Sequence, residues 1–105
     1  MTYQAKDLGY NDEKEILELL TAAKKFGATA VTLRDSEGDE EFFSINYPDG
    51  IIETLDGADI DWVFRFTKAR KYLGTFYVVL GNNDGSAVYD SSCQNWCDCV
   101  WKALD

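Results

Sequence analysis

Residues 60–80 read IDWVFRFTKARKYLGTFYVVL, and the structure of this stretch decides how the rest of the chain folds. From 60 to 67, large apolar side chains occupy every second position, which is the pattern of a half-buried strand. The stretch also carries apolar residues at helical spacing, namely Trp62, Phe66, Ala69 and Leu73. Aromatic and β-branched content favours a strand over 60–67, whereas the KARKYL segment that follows has no turn residues and favours a helix. The final TFYVVL predicts an apolar strand.

Amphipathic helices are predicted on both sides of this stretch. Asn11 or Asp12 begins the first helix, and Asp12 with Glu15 fits a capping box. The apolar stripe of this helix contains Ile16, Leu19, Leu20, Ala23 and Phe26. Ser91 or Ser92 caps another helix near the end of the chain. The stripe of that helix contains Cys93, Trp96, Cys97, Val100, Trp101 and Leu104. Each helix therefore has one face to bury in a core.

The rest of the chain is predicted to form short strands joined by turns. Runs of β-branched and aromatic residues place these strands at 28–34, 41–47, 51–55 and 86–90. Turns that contain Gly are predicted at 36–39, 48–50 and 82–85. The order of elements is then α-β-β-β-(β or α)-β-β-α. We predict a single small α+β domain over residues 1–105, with an antiparallel sheet of about five strands packed against an N-terminal and a C-terminal helix.

The negative charge of the chain is concentrated in residues 35–61. The whole sequence has 19 acidic and 10 basic residues, which give a net charge of −9. Ten of the acidic residues, and no Lys or Arg, occur in this stretch: Asp35, Glu37, Asp39, Glu40, Glu41, Asp49, Glu53, Asp56, Asp59 and Asp61. The remainder of the chain is close to neutral. We therefore predict that these ten residues form a partner-binding surface.

The acidic balance indicates which partners this surface can bind. Affinity for nucleic acids comes largely from Lys and Arg, as does attraction to anionic membranes, so we expect neither direct nucleic-acid binding nor membrane binding. The expected partner is a basic protein surface. A small basic cluster contains Arg65, Lys68, Arg70 and Lys71. We interpret this cluster as positive charge that offsets the acidic stretch within the chain, or as favourable charge near a helix C-terminus.

Cysteine usage and hydropathy indicate a reducing, cytoplasmic environment. The three cysteines, Cys93, Cys97 and Cys99, fall within seven residues, which is not a secreted disulfide framework. The N-terminal residues contain no apolar segment of the signal-peptide kind, and no run approaches the roughly 20 apolar residues of a membrane span. Cys93 and Cys97 lie on the apolar stripe of their helix and are expected to pack in the core, whereas Cys99 points away from it.

No pattern in the sequence predicts catalysis, a cofactor or a metal site. The chain has no His, which removes the commonest general base, and three cysteines are too few for a structural zinc site. A run that begins at Asp35 resembles a calcium loop, but Glu40 and Asn46 stand where the loop requires Gly and Glu. Among 19 acids, some pair is close by chance, so paired carboxylates carry no signal. We expect a protein that is not an enzyme.

Two functional hypotheses stand beside the simpler interpretation that the acids only keep the surface solvated. In the first, the carboxylates imitate nucleic-acid phosphates, since alternate side chains on a strand lie about 6.6 Å apart. The chain would then inhibit a DNA- or RNA-handling protein, such as a nuclease or defence complex, by occupying its nucleic-acid-binding groove. Aromatic residues of the same stretch that face outward would anchor the interface; the stretch contains Phe42, Phe43, Tyr47 and Trp62.

In size and composition, though in no motif, the chain resembles phage or mobile-element proteins that block host defence nucleases. The second hypothesis is an assembly module that forms a homo-oligomer through a sheet edge or an aromatic patch. The sequence leaves the oligomeric state open.

Overall fold

The computed structural model describes residues 10–56, 60–81, 87–92 and 95–104. In this part of the chain the elements follow the order α1 (Tyr10–Lys25), β1 (Ala30–Arg34), β2 (Glu40–Ser44), α2 (Pro48–Leu55), β3 (Asp61–Lys68), β4 (Lys71–Val79), β5 (Val88–Ser92) and α3 (Asn95–Leu104). The predicted α+β class with a five-stranded antiparallel sheet is confirmed. The turn predicted at 82–85, Asp59 and Cys93 lie outside the described residues.

The centre of the sheet comes from the stretch that is ambiguous in sequence. The strand order is β2-β1-β3-β4-β5, so β3 pairs with β1 on one side and with β4 on the other. The strand predicted over 60–67 is confirmed, and the alternate side chains Trp62, Phe64 and Phe66 are buried. The helix predicted for the KARKYL segment is wrong, because Lys71 already begins β4.

A two-residue turn joins β3 to β4. Lys68 pairs with Lys71, which leaves Ala69 and Arg70 at the turn with φ angles of +48° and +73°. Positive φ at both central residues defines a type I′ turn, where Asn and Gly are the usual residues. Because neither Ala nor Arg favours this conformation, the segment does not look like a turn in sequence.

Residues 48–55 form α2 and not the predicted turn and strand. Pro48 lies at the start of the helix, where a missing N–H has no helical partner to lose. Ile51 and Leu55 are fully buried in the core, and their spacing of four residues places them on one face of a helix. Since the helix begins so early, β2 ends at Ser44, three residues before its predicted end.

All three helices pack on one face of the sheet and form the hydrophobic core with it. The fully buried side chains of this core include Ile16, Leu19, Leu33, Ile51, Leu55, Phe64, Phe66, Phe76, Val78 and Val100. The ring of Trp96 in α3 lies 5.7 Å from that of Phe66 and 6.2 Å from that of Phe76, measured between centroids. Its Nε1 also donates a hydrogen bond of 2.8 Å to the carbonyl of Phe26. This bond joins α3 to the end of α1.

Two carboxylates near the start of α1 bind backbone N–H groups from a distant part of the chain. Glu15 Oε1 and Oε2 accept hydrogen bonds from the amides of Ala87 (2.9 Å) and Val88 (3.0 Å). Asp12 Oδ2 accepts one from the amide of Gly81 at 2.8 Å. The predicted capping box is therefore wrong, because α1 begins at Tyr10 and both side chains bind amides on either side of the β4–β5 connection.

The C-terminal helix begins later than predicted. Ser91 and Ser92, the predicted caps, belong to β5, and α3 starts at Asn95. Ser91 Oγ accepts a hydrogen bond of 2.9 Å from Trp101 Nε1. The serine is therefore a contact point for α3 and not its first residue.

Candidate protein-binding surface

The acidic residues that follow β1 form a closed turn and not the regular row expected of a strand. Asp35 Oδ1 accepts hydrogen bonds from the backbone N–H groups of Glu37 and Asp39, both at 2.9 Å. The N–H of Gly38 donates to the carbonyl of Asp35 at 3.1 Å. Because Asp35 uses its carboxylate inside the turn, the charges that project into solvent are those of Glu37 and Asp39, which are both exposed.

The next two acids lie on β2, which is an edge strand of the sheet. Glu40 and Glu41 are adjacent, so their side chains point to opposite faces. Glu41 points to the helical side, where its Oε2 accepts a hydrogen bond of 3.2 Å from Thr54 Oγ1. Thr54 belongs to α2. This contact places α2 directly beside the edge strand.

The acids of α2 extend the same surface. Asp49 and Glu53 are exposed and lie four residues apart, hence on one face of the helix. Each immediately precedes a residue of the Gly50–Thr54 pair. The Thr54 hydroxyl lies 2.9 Å from the Gly50 carbonyl, so its single proton is shared between this carbonyl and Glu41 Oε2. The sequence pattern does not mark Thr54 as part of this surface. Its one signal is the spacing of four residues from Gly50, which places both residues on one face of a helix.

The described structure thus groups six exposed carboxylates around β2, and we call this group the acidic edge. It consists of Glu37, Asp39, Glu40, Glu41, Asp49 and Glu53. Two other predicted residues lie apart from it. Asp56 is half-buried at the end of α2, and Asp61 begins β3, two strands away from β2. Asp59 lies outside the described residues.

Two of the four predicted aromatic anchors face solvent beside the acidic edge. Phe42 is 68% and Tyr47 56% exposed, whereas Phe43 and Trp62 belong to the core. The ring of Tyr47 lies over Gly50, in the space that a Cβ would occupy. A glycine is therefore required for this ring to lie against α2.

The basic cluster lies on the β3–β4 hairpin, at the opposite end of the strands from the acidic turn. The guanidinium of Arg65 stacks on the ring of Tyr72, 5.3 Å from its centroid. The Lys68 side chain passes close to Gly27, just beyond the end of α1. This basic cluster is therefore separated from the acidic turn along the strand direction, while Arg34 lies at the acidic end, opposite Glu40.

The cysteines and carboxylates of the described residues do not form a metal site. In the described ranges, no group of three or more Cys, Asp and Glu side chains is arranged to hold a metal ion. Cys97 is buried, 1% exposed, as expected, but it is disulfide-bonded and so does not pack as a free thiol. Cys99 is exposed and free. The reducing, cytoplasmic environment expected from the sequence stays a prediction.

Comparisons with protein-family models, curated proteins and solved structures gave no match. Of the helices in the described ranges, none has the length and apolar character needed to cross a membrane.

Proposed function

We propose that this chain is a non-enzymatic acidic protein that binds a basic protein surface through the acidic edge. The contact between Thr54 Oγ1 and Glu41 Oε2, 3.2 Å apart, carries the proposal. It brings the acids of α2 next to those of β2 and of the preceding turn, so that carboxylates from three segments share one edge. No Lys or Arg occurs anywhere in residues 35–61; the base next to the acidic edge is Arg34, which lies opposite Glu40.

In its sharper form, the partner is the nucleic-acid-binding groove of a DNA- or RNA-handling protein, such as a nuclease or a defence complex. Such grooves carry Lys and Arg placed to neutralise phosphates, and carboxylates on an edge strand, a turn and a helix offer the same charge without a nucleic acid. Charge complementarity of this kind raises association rates by about 10–1,000-fold and is weakened by salt. The exposed ring of Tyr47 supplies an apolar contact inside the charged surface.

A competition experiment tests this function. Purified nucleases and other DNA-binding proteins are each loaded with a short fluorescein-labelled DNA duplex, and the chain is added while anisotropy is followed. We expect displacement of the duplex from at least one of these proteins. Direct binding to that protein should weaken steeply between about 50 and 500 mM salt, as the Debye length shortens. Failure to displace the duplex from any of them refutes the nucleic-acid-mimic form.

Charge-reversal variants test whether the partner binds to the acidic edge. The variant Glu37→Lys/Asp39→Lys/Glu53→Lys alters the acidic edge, and the control Glu13→Lys/Glu18→Lys/Asp98→Lys makes the same charge change on α1 and α3, at residues that are also exposed. If each reversed charge removes about 1 kcal/mol, the edge variant should bind about 100-fold more weakly. Equal losses in both variants would show that total charge, and not the acidic edge, is recognised.

A further inference from the structure

The two edge strands of the sheet, β2 and β5, differ in their regularity. In β5 one extra residue, Tyr89, interrupts the pairing with β4. A bulge of this kind is one of the ways in which proteins protect an exposed edge from further strands. β2 pairs with β1 without such a shift over all five of its residues, and four of the five are exposed. β2 is therefore the edge to which a further strand can be added.

Alternate residues of β2 direct their backbone groups away from the sheet. The ladder between β1 and β2 is flanked by hydrogen bonds from the Ile45 N–H to the Thr29 carbonyl at 2.9 Å and from the Asp35 N–H to the Asp39 carbonyl at 3.0 Å. Because hydrogen-bonded and non-hydrogen-bonded pairs alternate in an antiparallel ladder, the even-numbered residues of β2 point their N–H and C=O groups outward. They are Glu40, Phe42 and Ser44.

These outward groups make one hydrogen bond with other described residues, in which the Ser44 carbonyl accepts the N–H of Tyr47 at 3.1 Å. The N–H and C=O of Glu40 and of Phe42, and the N–H of Ser44, are left for a neighbouring strand. Donors and acceptors that recur about every 7 Å along one line are complementary to the backbone of another strand. The class of ligand is therefore an extended peptide segment.

The side chains on the helical side of β2 indicate which residue an added strand should carry there. Glu41 approaches α2 through its contact with Thr54, and the neighbouring Glu53 is exposed. An added strand would place one of its side chains directly opposite Glu41, with the two Cβ atoms about 4.5–5.5 Å apart. A Lys or Arg at this position would be attracted by both carboxylates.

The other side of β2 has a different character. Arg34 lies opposite Glu40 in the register of β1 and β2, so the charge of Glu40 is already offset by a base of the same chain. Between this pair and Ser44 lies the ring of Phe42, which is 68% exposed. An aromatic or aliphatic residue opposite Phe42 would cover this ring as a cross-strand pair.

We propose that β2 binds an extended segment of a basic protein as an additional antiparallel strand, with Lys or Arg opposite Glu41 and an aromatic or aliphatic residue opposite Phe42. The antiparallel direction continues that of the sheet and gives the more stable ladder. The residue opposite Phe42 exchanges two hydrogen bonds with it, whereas the N–H of the residue opposite Glu41 points to solvent. This inference deepens the proposed function and rests on it, since the added strand belongs to the basic partner.

A second copy of this chain is a poor occupant of the same edge. Two β2 strands that paired with each other would bring together two acidic edges, in molecules that each carry a net charge of −9. Close like charges are destabilising. The acids of β2 therefore protect the edge against self-association, while a strand of opposite charge is admitted.

N-methylated peptides test the strand addition. The probe is the fluorescein-labelled peptide Thr-Val-Tyr-Lys-Thr-Lys, with Tyr opposite Phe42 and the next residue opposite Glu41, and its binding to the full chain is followed by anisotropy. We expect a dissociation constant of about 10–100 µM. Methylation of the Tyr nitrogen removes a ladder hydrogen bond and should weaken binding at least about tenfold. Methylation of the next Lys nitrogen, which points to solvent, is the matched control and should change binding less than about threefold.

A pair of variants tests the same hydrogen bond from the side of the protein. Phe42→Pro removes an N–H that points outward, and proline is tolerated at such positions of edge strands. Phe42→Ala is the matched control, since both variants lose the ring and only Pro loses the N–H. The unmethylated peptide should bind Phe42→Pro at least about tenfold more weakly than Phe42→Ala. Circular dichroism checks that both variants are folded, and the methylated peptides test the unaltered chain in any case.

Equal effects of the two methylations overturn the strand addition, as does the absence of peptide binding at about 1 mM. A dimer of the free chain that the peptide does not dissociate, measured by sedimentation equilibrium, overturns it as well. If a basic protein binds the chain and loses affinity for Glu37→Lys/Asp39→Lys/Glu53→Lys while the two methylations have equal effects, only the strand addition fails. If the methylation effects alternate and no duplex is displaced from any DNA-binding protein, only the nucleic-acid-mimic form of the proposed function fails.

Discussion

Glu15 holds the start of β5 against α1, and removal of its carboxylate should destabilise the fold substantially. Its two oxygens accept hydrogen bonds from the amides of Ala87 and Val88, and these residues are 0% and 1% exposed. A hydrogen bond to a charged acceptor contributes about 1.5–3 kcal/mol, and a buried donor left without an acceptor costs about 1–3 kcal/mol. For Glu15→Ala we therefore expect the free energy of unfolding to fall by about 3–4 kcal/mol. A domain of this size has about 5–15 kcal/mol in total.

Urea unfolding followed by tryptophan fluorescence measures this loss. The midpoint should fall while the slope of free energy against urea stays constant, because the surface exposed on unfolding does not change. Glu15→Gln keeps one neutral acceptor oxygen and should lose about 1–2 kcal/mol. Hydrogen exchange at the Ala87 and Val88 amides should accelerate in both variants.

Glu18→Ala is the matched control, because Glu18 is exposed on the same helix and has a similar helix propensity cost. Its unfolding free energy should change by no more than about 0.5 kcal/mol. If Glu15→Ala and Glu18→Ala unfold within 0.5 kcal/mol of each other, the assigned role of Glu15 is refuted.

Two further changes test the β3–β4 turn and the packing of α3. Ala69 has a φ of +48°, a conformation that costs a residue with Cβ about 1–2 kcal/mol and that Asn tolerates better. Ala69→Asn should therefore raise the unfolding free energy by about 0.5–1 kcal/mol. A decrease in urea stability would contradict the type I′ assignment. Trp96→Phe removes the hydrogen bond to the Phe26 carbonyl and part of the contact with Phe66 and Phe76, and should lower the unfolding free energy by about 2–3 kcal/mol. An unchanged urea midpoint for Trp96→Phe would show that this bond does not stabilise α3.

The fold class could be predicted because burial follows local periodicity in the longest elements. The alternation of Trp62, Phe64 and Phe66 specifies a strand with one face in the core, and the stripe with Ile16 and Leu19 specifies an amphipathic helix. Both patterns are confirmed. Each pattern extends over so many residues that one residue out of place does not change its periodicity.

The errors fall where a short segment supports two periods or where a turn lacks its usual residues. Over 48–55, Pro and Gly are as compatible with a helix start as with a turn, and burial of Ile51 and Leu55 decides for α2. Ala69 and Arg70 adopt positive φ without Gly or Asn, so tertiary pairing of β3 with β4 overrides their local preference. Glu15 fits a capping box in sequence, while its partners lie on the β4–β5 connection.

The sequence predicts how many acidic residues are concentrated in this stretch but not how they are arranged on the surface. The concentration of acids in 35–61 follows from the sequence alone. Which of them share an edge depends on α2 being a helix and on the contact of Thr54 with Glu41, neither of which has a local signal. Asp35, which looks equivalent to Glu37 in sequence, differs because its carboxylate closes the turn.

The anchoring of α1 to the β4–β5 connection has a consequence for the synthesis of the chain. Asp12 and Glu15 bind amides that lie 69, 72 and 73 residues further on. At about 5–20 residues per second, roughly 4–15 s pass between the translation of Glu15 and that of Val88. During this interval Ile16 and Leu19 lack their final cover, so folding is completed only after β5 has been made. Contacts between residues so distant in sequence slow folding, and the apolar surface left exposed during the interval is a site for aggregation.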